Sequence, residues 1–207
     1  MAKWQLDVPV VGILRGVEAQ FFSHVMKTSF DAGLQAIEIT LNTDNALNII
    51  KENIRSVPKG CFLGAGTVCC LEEARQAIAS GAMFLVTPNF DPTVIQYAVS
   101  CRIPVIAGAL TPTEVYAAWS AGASMVKVFP CQNMGGPLYI KELKGPFDSI
   151  ALCAVGGVTC ENINDYFKAG VQAVGVSSAL FGKEALALKN LEALSVNVKK
   201  FIHCCRQ

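Results

Sequence analysis

Two patterns of apolar residues alternate along the chain. Short runs dense in Val, Ile, Leu, Phe and Ala are followed by longer stretches whose apolar residues recur every three or four positions. The first pattern reads as a buried strand and the second as an amphipathic helix. Strands are predicted over 8–14, 36–41, 61–65, 83–86, 104–107, 123–130, 150–155 and 173–176. Helices are predicted over about 18–32, 44–53, 71–80, 92–100, 112–121, 137–143, 161–169 and 184–204, with Gly33 closing the first and Pro112 opening the fifth. Strict β-then-α alternation implies a parallel sheet with right-handed crossovers. Eight such units predict closure into an α/β fold of the (β/α)8 TIM-barrel type. At 207 residues the chain is near the lower limit for that fold. A single domain over 1–207 with short loops is therefore expected. An open doubly wound sheet is the alternative, but it more often carries a G-x-G-x-x-G turn after the first strand, which is absent here.

Composition narrows the classes of function. Hydrophobic residues make up 52% of the chain, and the net charge is +1 with no basic or acidic block. Neither nucleic acid nor a membrane surface is favoured as a partner. No apolar run approaches the ~20 residues of a membrane span. The start reaches Arg15 after a short apolar run and lacks a secretory cleavage pattern, so a cytoplasmic location is expected. The nine cysteines are odd in number, two pairs of them are adjacent, and no C-x-x-C occurs. Only His24 and His203 could add imidazole ligands. Reduced thiols are expected, with no metal site and no cofactor.

The chemistry lies at strand ends. In the run 123–130, Lys127 is the only charge, sharing a face with Met125 and Phe129. Such a lysine reaches solvent at an edge, finds an ion-pair partner, or loses its proton. In the last case it is a nucleophile able to form a Schiff base with a ketone. In 36–41, alternation puts Glu38 with Ala36 and Thr40 on the face opposite Ile37, Ile39 and Leu41. If the apolar face meets the helices, Glu38 points into the barrel. It can then approach Lys127, either as a structural ion pair or as a carboxylate that moves protons. Arg15 follows Val11 and Ile13 inward and can hold Glu38, a substrate anion, or a salt bridge at the barrel mouth. Other polar or glycine-rich ends are Asn42, Gly64 to Thr67 and Thr87-Pro88-Asn89. After the last two strands come Gly156-Gly157 and Ser177-Ser178, the pair of loops at which barrels often bind phosphate. Thr159 can instead be a simple helix cap.

The segments VGILRG, AIEITLNT, GAGTV, FLVTPN, PVIAGALTPTE, VKVFP, AVGGVTCENI and GVSSAL, in this order within the stretch Val8 to Leu180, resemble the 2-keto-3-deoxy-6-phosphogluconate (KDPG) and 4-hydroxy-2-oxoglutarate (KHG) aldolase family. The resemblance implies a class I aldolase, homotrimeric and metal-free, that acts on a small keto-acid phosphate. It implies Lys127 as the Schiff-base residue and Glu38 as acid and base. It implies Arg15 and Thr67 at the pyruvate half, Phe129 as a wall, and Gly157 and Ser178 at the phosphate end, with Gly156 and Ser177 beside them. Asn42, Pro88 within Thr87-Pro88-Asn89, and Val155 are further substrate-side positions. Asn42, the Thr87-to-Asn89 triplet and Val155 resemble the branch acting on the galactonate epimer, whereas the gluconate branch usually has Arg, Ser-Pro-Gly and Thr. Ser177 stands where glycine is usual.

Three readings compete with this one. The first is cleavage of 4-hydroxy-2-oxoglutarate. The second is a phosphosugar isomerase or epimerase, which needs an acid/base pair but no imine-forming lysine. The third is a non-catalytic phosphate-binding barrel.

Overall fold

The computed structural model describes residue 4 and residues 6–205. Eight parallel strands close into a barrel in sequence order. They are β1 (Val10–Leu14), β2 (Ala36–Thr40), β3 (Phe62–Gly66), β4 (Leu85–Val86), β5 (Val105–Ala109), β6 (Met125–Val128), β7 (Leu152–Val155) and β8 (Ala173–Val176). The ring is completed by β1 and β8, which pair from Val10↔Val174 to Gly12↔Val176. Helices α1 (Ala19–Asp31), α2 (Ala46–Asn53), α3 (Leu71–Ala79), α4 (Pro92–Ser100), α5 (Pro112–Ser120), α6 (Pro137–Lys144) and α7 (Ile163–Lys168) each follow a strand. The expected (β/α)8 barrel is thus the observed fold. None of the helices among the described residues is long and apolar enough to cross a membrane.

Alternation along each strand creates two cores. Outward residues such as Ile37, Ile39, Val126 and Val128 pack under the helices, together with Val25, Ile49 and Val94 from the helical side. Inward residues Val11, Phe84, Ile106, Met125, Cys153 and Val155 fill the barrel itself. Helix starts are fixed locally. The Asp91 side chain accepts from the Thr93 and Val94 N–H groups ahead of α4. Thr111 and Glu114 form a reciprocal capping box ahead of α5. A cap of this kind contributes about 1 kcal/mol.

The last predicted helix is corrected. In place of one helix over 184–204 there are two, α9 (Lys183–Ala187) and α10 (Leu191–Cys204), and a short unpredicted helix, α8 (Ser178–Phe181), precedes them. Gly182 at φ 81° separates α8 from α9. Lys189 at φ 53° then turns the chain, and Asn190 starts α10 by accepting from the Ala193 N–H at 3.0 Å. The apolar periodicity runs on through Leu186, Leu188 and Leu191, so it hides a break made by backbone conformation and a cap. The strand predicted over 123–130 is also shorter, and its Phe129 and Pro130 belong to the turn beyond β6.

Candidate active site

Lys127 stands one residue before the end of β6 and is 7% exposed. Its strand neighbours are Gly108 of β5 and Cys153 of β7. Glu38 is at the centre of β2, 2% exposed, between Ile13 of β1 and Gly64 of β3. Both side chains point into the barrel and line one cavity of about 400 Å³ at the C-terminal ends of the strands. The Lys127 Nζ atom lies 5.0 Å from the centre of the Phe129 ring. Among the described residues the ion pairs are three surface pairs, and none includes Lys127, Glu38 or Arg15. The structural ion pair is therefore absent as a direct contact.

Glu38 sits in a space made for it. A Cβ on Gly66 would lie 2.5 Å from its Oε1 and 2.6 Å from its Cδ, so only a residue without a side chain lets the carboxylate occupy the axis. Its Oε2 is buried with no hydrogen-bond partner. Burial pushes the carboxyl from an ordinary 4.5 up to about 7, against the opposing pull of the Lys127 and Arg15 charges. Desolvation wins because no donor compensates the lost water. A carboxyl that ionises near neutrality both takes and returns a proton readily.

The turn after β4 is held just as closely. The Thr87 hydroxyl donates to Asn89 O at 2.6 Å and accepts from the Gly108 N–H at 2.9 Å. A Cβ on Gly108 would meet the Pro88 carbonyl carbon at 2.3 Å. Pro88 is thereby pressed into the cavity wall. Thr67 follows β3 at φ 57°, in the left-handed region. For a β-branched residue that conformation costs about 1–2 kcal/mol, and such strain concentrates where a side chain must be aimed at a ligand.

At the far side, Gly156 and Gly157 at φ 96° and 79° turn the chain out of β7. Gly157, Val158, Ser177 and Ser178 line the cavity there. Within the described residues the Gly157 and Val158 N–H groups have no protein acceptor. Two backbone donors of this kind beside a helix start suit an anion.

The cavity thus gathers Lys127, Glu38, Arg15, Thr67, Pro88, Phe129, Val155, Gly156, Gly157, Ser177 and Ser178. Asn42 is not among its lining. It is exposed on a neighbouring recess with Gly16 and Glu18, and Thr43, the next residue, is the buried one of this turn. The Thr43 hydroxyl bonds to the Thr40 hydroxyl at 3.1 Å and accepts from the Gly16 N–H at 3.0 Å. Sequence reasoning missed Cys153, whose buried thiol is pushed up to about 12 and lies close enough to feel both Lys127 and Glu38. The inward alternation of β7 carried that signal. Ile13, Thr159 and Ala179 also line the cavity. Among the described residues there is no group of three or more His, Cys, Asp or Glu side chains arranged for a metal ion.

Comparison with known proteins gives a consistent result. The family model described as KDPG and KHG aldolase matches residues 4–196. A 2-dehydro-3-deoxy-6-phosphogalactonate aldolase of Escherichia coli strain K12 is 38% identical over 181 residues, covering 86% of this chain and 87% of that protein. Among solved structures, one described as native KDPGal superposes with a TM-score of 0.90 at 34% identity, covering 99% of this chain and 97% of that one. A KDPG aldolase of Legionella pneumophila, with pyruvate captured as a covalent carbinolamine, superposes with a TM-score of 0.86 at 25% identity, covering 93% of each chain.

Proposed function

Since this chain belongs to the KDPG and KHG aldolase family, we propose that it cleaves a 2-keto-3-deoxy-6-phospho sugar acid to pyruvate and glyceraldehyde 3-phosphate through a Schiff base on Lys127. The observation that carries the reading is the placing of a buried lysine and a buried carboxyl, pushed up to about 7 by desolvation, in one cavity without direct contact. The Lys127 amine adds to the C2 ketone and water leaves, so the iminium becomes an electron sink. Glu38 takes the C4 hydroxyl proton, the C3–C4 bond breaks, and its electrons enter the enamine. Glyceraldehyde 3-phosphate departs from the Gly157 and Ser178 side. Protonation of the enamine at C3 and hydrolysis of the imine then release pyruvate. Glu38 serves several of these transfers because each returns it to the state the next one needs. Arg15 supplies a fixed cation for the C1 carboxylate, and Thr67 and Phe129 bound the pyruvate half.

The galactonate epimer is the favoured substrate within this reading. Val155 offers an apolar wall, and the Thr87-held turn sets Pro88 against the cavity. The 38% identity to a galactonate-branch aldolase adds to this. A homotrimer in the cytosol completes the proposal. Exposed Tyr116, Met134 and Leu138 supply apolar surface for self-association, while the number of copies rests on the family resemblance.

The test is borohydride reduction in the presence of pyruvate, followed by intact-mass measurement and peptide mapping. A pyruvate-derived adduct on Lys127, lost in Lys127→Ala, is expected. A folded protein that gives no adduct sinks the aldolase reading and turns attention to proton-transfer isomerisation at Glu38.

A further inference from the structure

Asn162 occupies the position ahead of α7 at which an asparagine ordinarily caps its own helix, yet it makes no such bond. Its side chain turns back onto the loop after β7. The Oδ1 atom accepts from the Thr159 N–H at 2.8 Å, and Nδ2 donates to Gly157 O at 2.9 Å. The opposite flank of the same loop is held by Gln132. The Gln132 N–H donates to Gly156 O at 3.1 Å. A Cβ on Gly157 would lie only 2.3 Å from Gln132 Cβ, so the two are packed as closely as a glycine permits. Tyr166, fully buried on α7, donates its hydroxyl to Gln132 Oε1 at 2.9 Å. Neither Asn162 nor Gln132 lines the cavity. Both bond to the carbonyl side of the two peptide planes whose N–H groups, on Gly157 and Val158, have no protein acceptor among the described residues.

We propose that Asn162 is a positioning residue for the anionic end of the substrate. By joining Gly157 O to the Thr159 N–H, it fixes the Gly157–Val158 segment with those two amides turned toward the cavity. Tyr166 and Gln132 brace the segment from the other flank. The proposal rests on the aldolase reading with the phosphate held by this loop. A plain structural brace makes a different forecast. It lowers stability and weakens every function of the site alike, whereas a positioning residue for the anion leaves the pyruvate half untouched.

The experiment compares wild type, Asn162→Ala and Tyr166→Phe, the second removing one hydroxyl with little change in volume. Three quantities are measured on each protein. They are kcat and KM for 2-keto-3-deoxy-6-phosphogalactonate, inhibition by inorganic phosphate, and exchange of pyruvate methyl protons with deuterium, which needs no phosphate. For Asn162→Ala, KM rises about tenfold, the factor carried by one hydrogen bond of ordinary net strength. Phosphate inhibition weakens in parallel, while kcat and pyruvate exchange stay within about twofold of wild type. Tyr166→Phe moves KM and phosphate inhibition in the same direction by a smaller factor and keeps the proposal testable if Asn162→Ala does not fold. Unchanged KM in both variants, or pyruvate exchange falling together with KM, overturns the proposal. So does a wild type that exchanges pyruvate protons yet ignores inorganic phosphate. A wild type that exchanges no pyruvate protons overturns the aldolase reading itself.

Discussion

Glu38→Gln should make the protein more stable and less active, and the gain in stability should depend on pH. The argument starts from the carboxyl's proton. Folding raises its pKa from 4.5 to about 7, so between those values the folded state binds more protons than the unfolded state. Where the folded state binds more protons, stability falls as pH rises. The contribution is whole below 4.5 and is lost once the pH passes about 7. At about 1.4 kcal/mol per pH unit, the interval from 4.5 to about 7 is worth on the order of 3 kcal/mol. Glutamine has the shape of the protonated acid and does not titrate. Any steric difference between the two side chains is the same at every pH and drops out of the comparison. The difference in unfolding free energy between variant and wild type should therefore grow by about 3 kcal/mol between pH 4.5 and pH 8, in favour of the variant. The assay is urea unfolding at fixed protein concentration across that range. Thermal unfolding should show a difference in Tm that widens by on the order of 10 °C. A difference that stays flat with pH would refute the placement of a desolvated, partnerless carboxyl on the barrel axis, whatever the variant's activity.

Two further outcomes follow from close approaches in the barrel. Gly66→Ala should lower kcat/KM by on the order of a hundredfold, since a methyl 2.5 Å from Oε1 must displace the carboxylate by about an ångström. The measurement is pyruvate release coupled to lactate dehydrogenase, and activity within about threefold of wild type would show that Glu38 need not be where it stands. Thr87→Val keeps the volume but strips the hydroxyl from Gly108 N and Asn89 O. It should cost about 1–3 kcal/mol in urea unfolding, the range for a buried donor left unpaired, and an unchanged unfolding midpoint counts against the clamp.

The barrel was legible because burial imposes a period on the sequence, and period is what a sequence displays. Lys127 and Glu38 stood out for a related reason. A charge inside an apolar strand is expensive, and alternation says which way it points. Cys153 obeys the same alternation but bears no charge, so it reads as ordinary core. The break between α9 and α10 was hidden because Leu186 and Leu191 keep the apolar period while Lys189 changes only its φ angle. Asn42 was placed at the site because it follows a strand end and by likeness to relatives, and neither signal says which way its side chain points. The hydroxyl bonds of Thr43, one residue on, decide the direction of that turn. Asn162 and Gln132 act through partners that are distant in the chain or on the backbone, and no local pattern announces such contacts.

The pairing of β1 with β8 has a consequence for how the protein is made. Arg15, Glu38 and Thr67 come from the first third of the chain, and Lys127, Gly157 and Ser178 come from the last half. A growing chain holds the whole lining only once it has emerged through Ala179. The contacts from Val10 to Val174 are also among the longest-range contacts in the molecule, and long-range pairings form slowly because the loop must close before anything rewards it. Recovery of activity during refolding therefore reports closure of the ring rather than formation of its helices. Until β8 arrives, β1 presents an open sheet edge, and an open edge on an unfinished chain is a place where a second chain can pair.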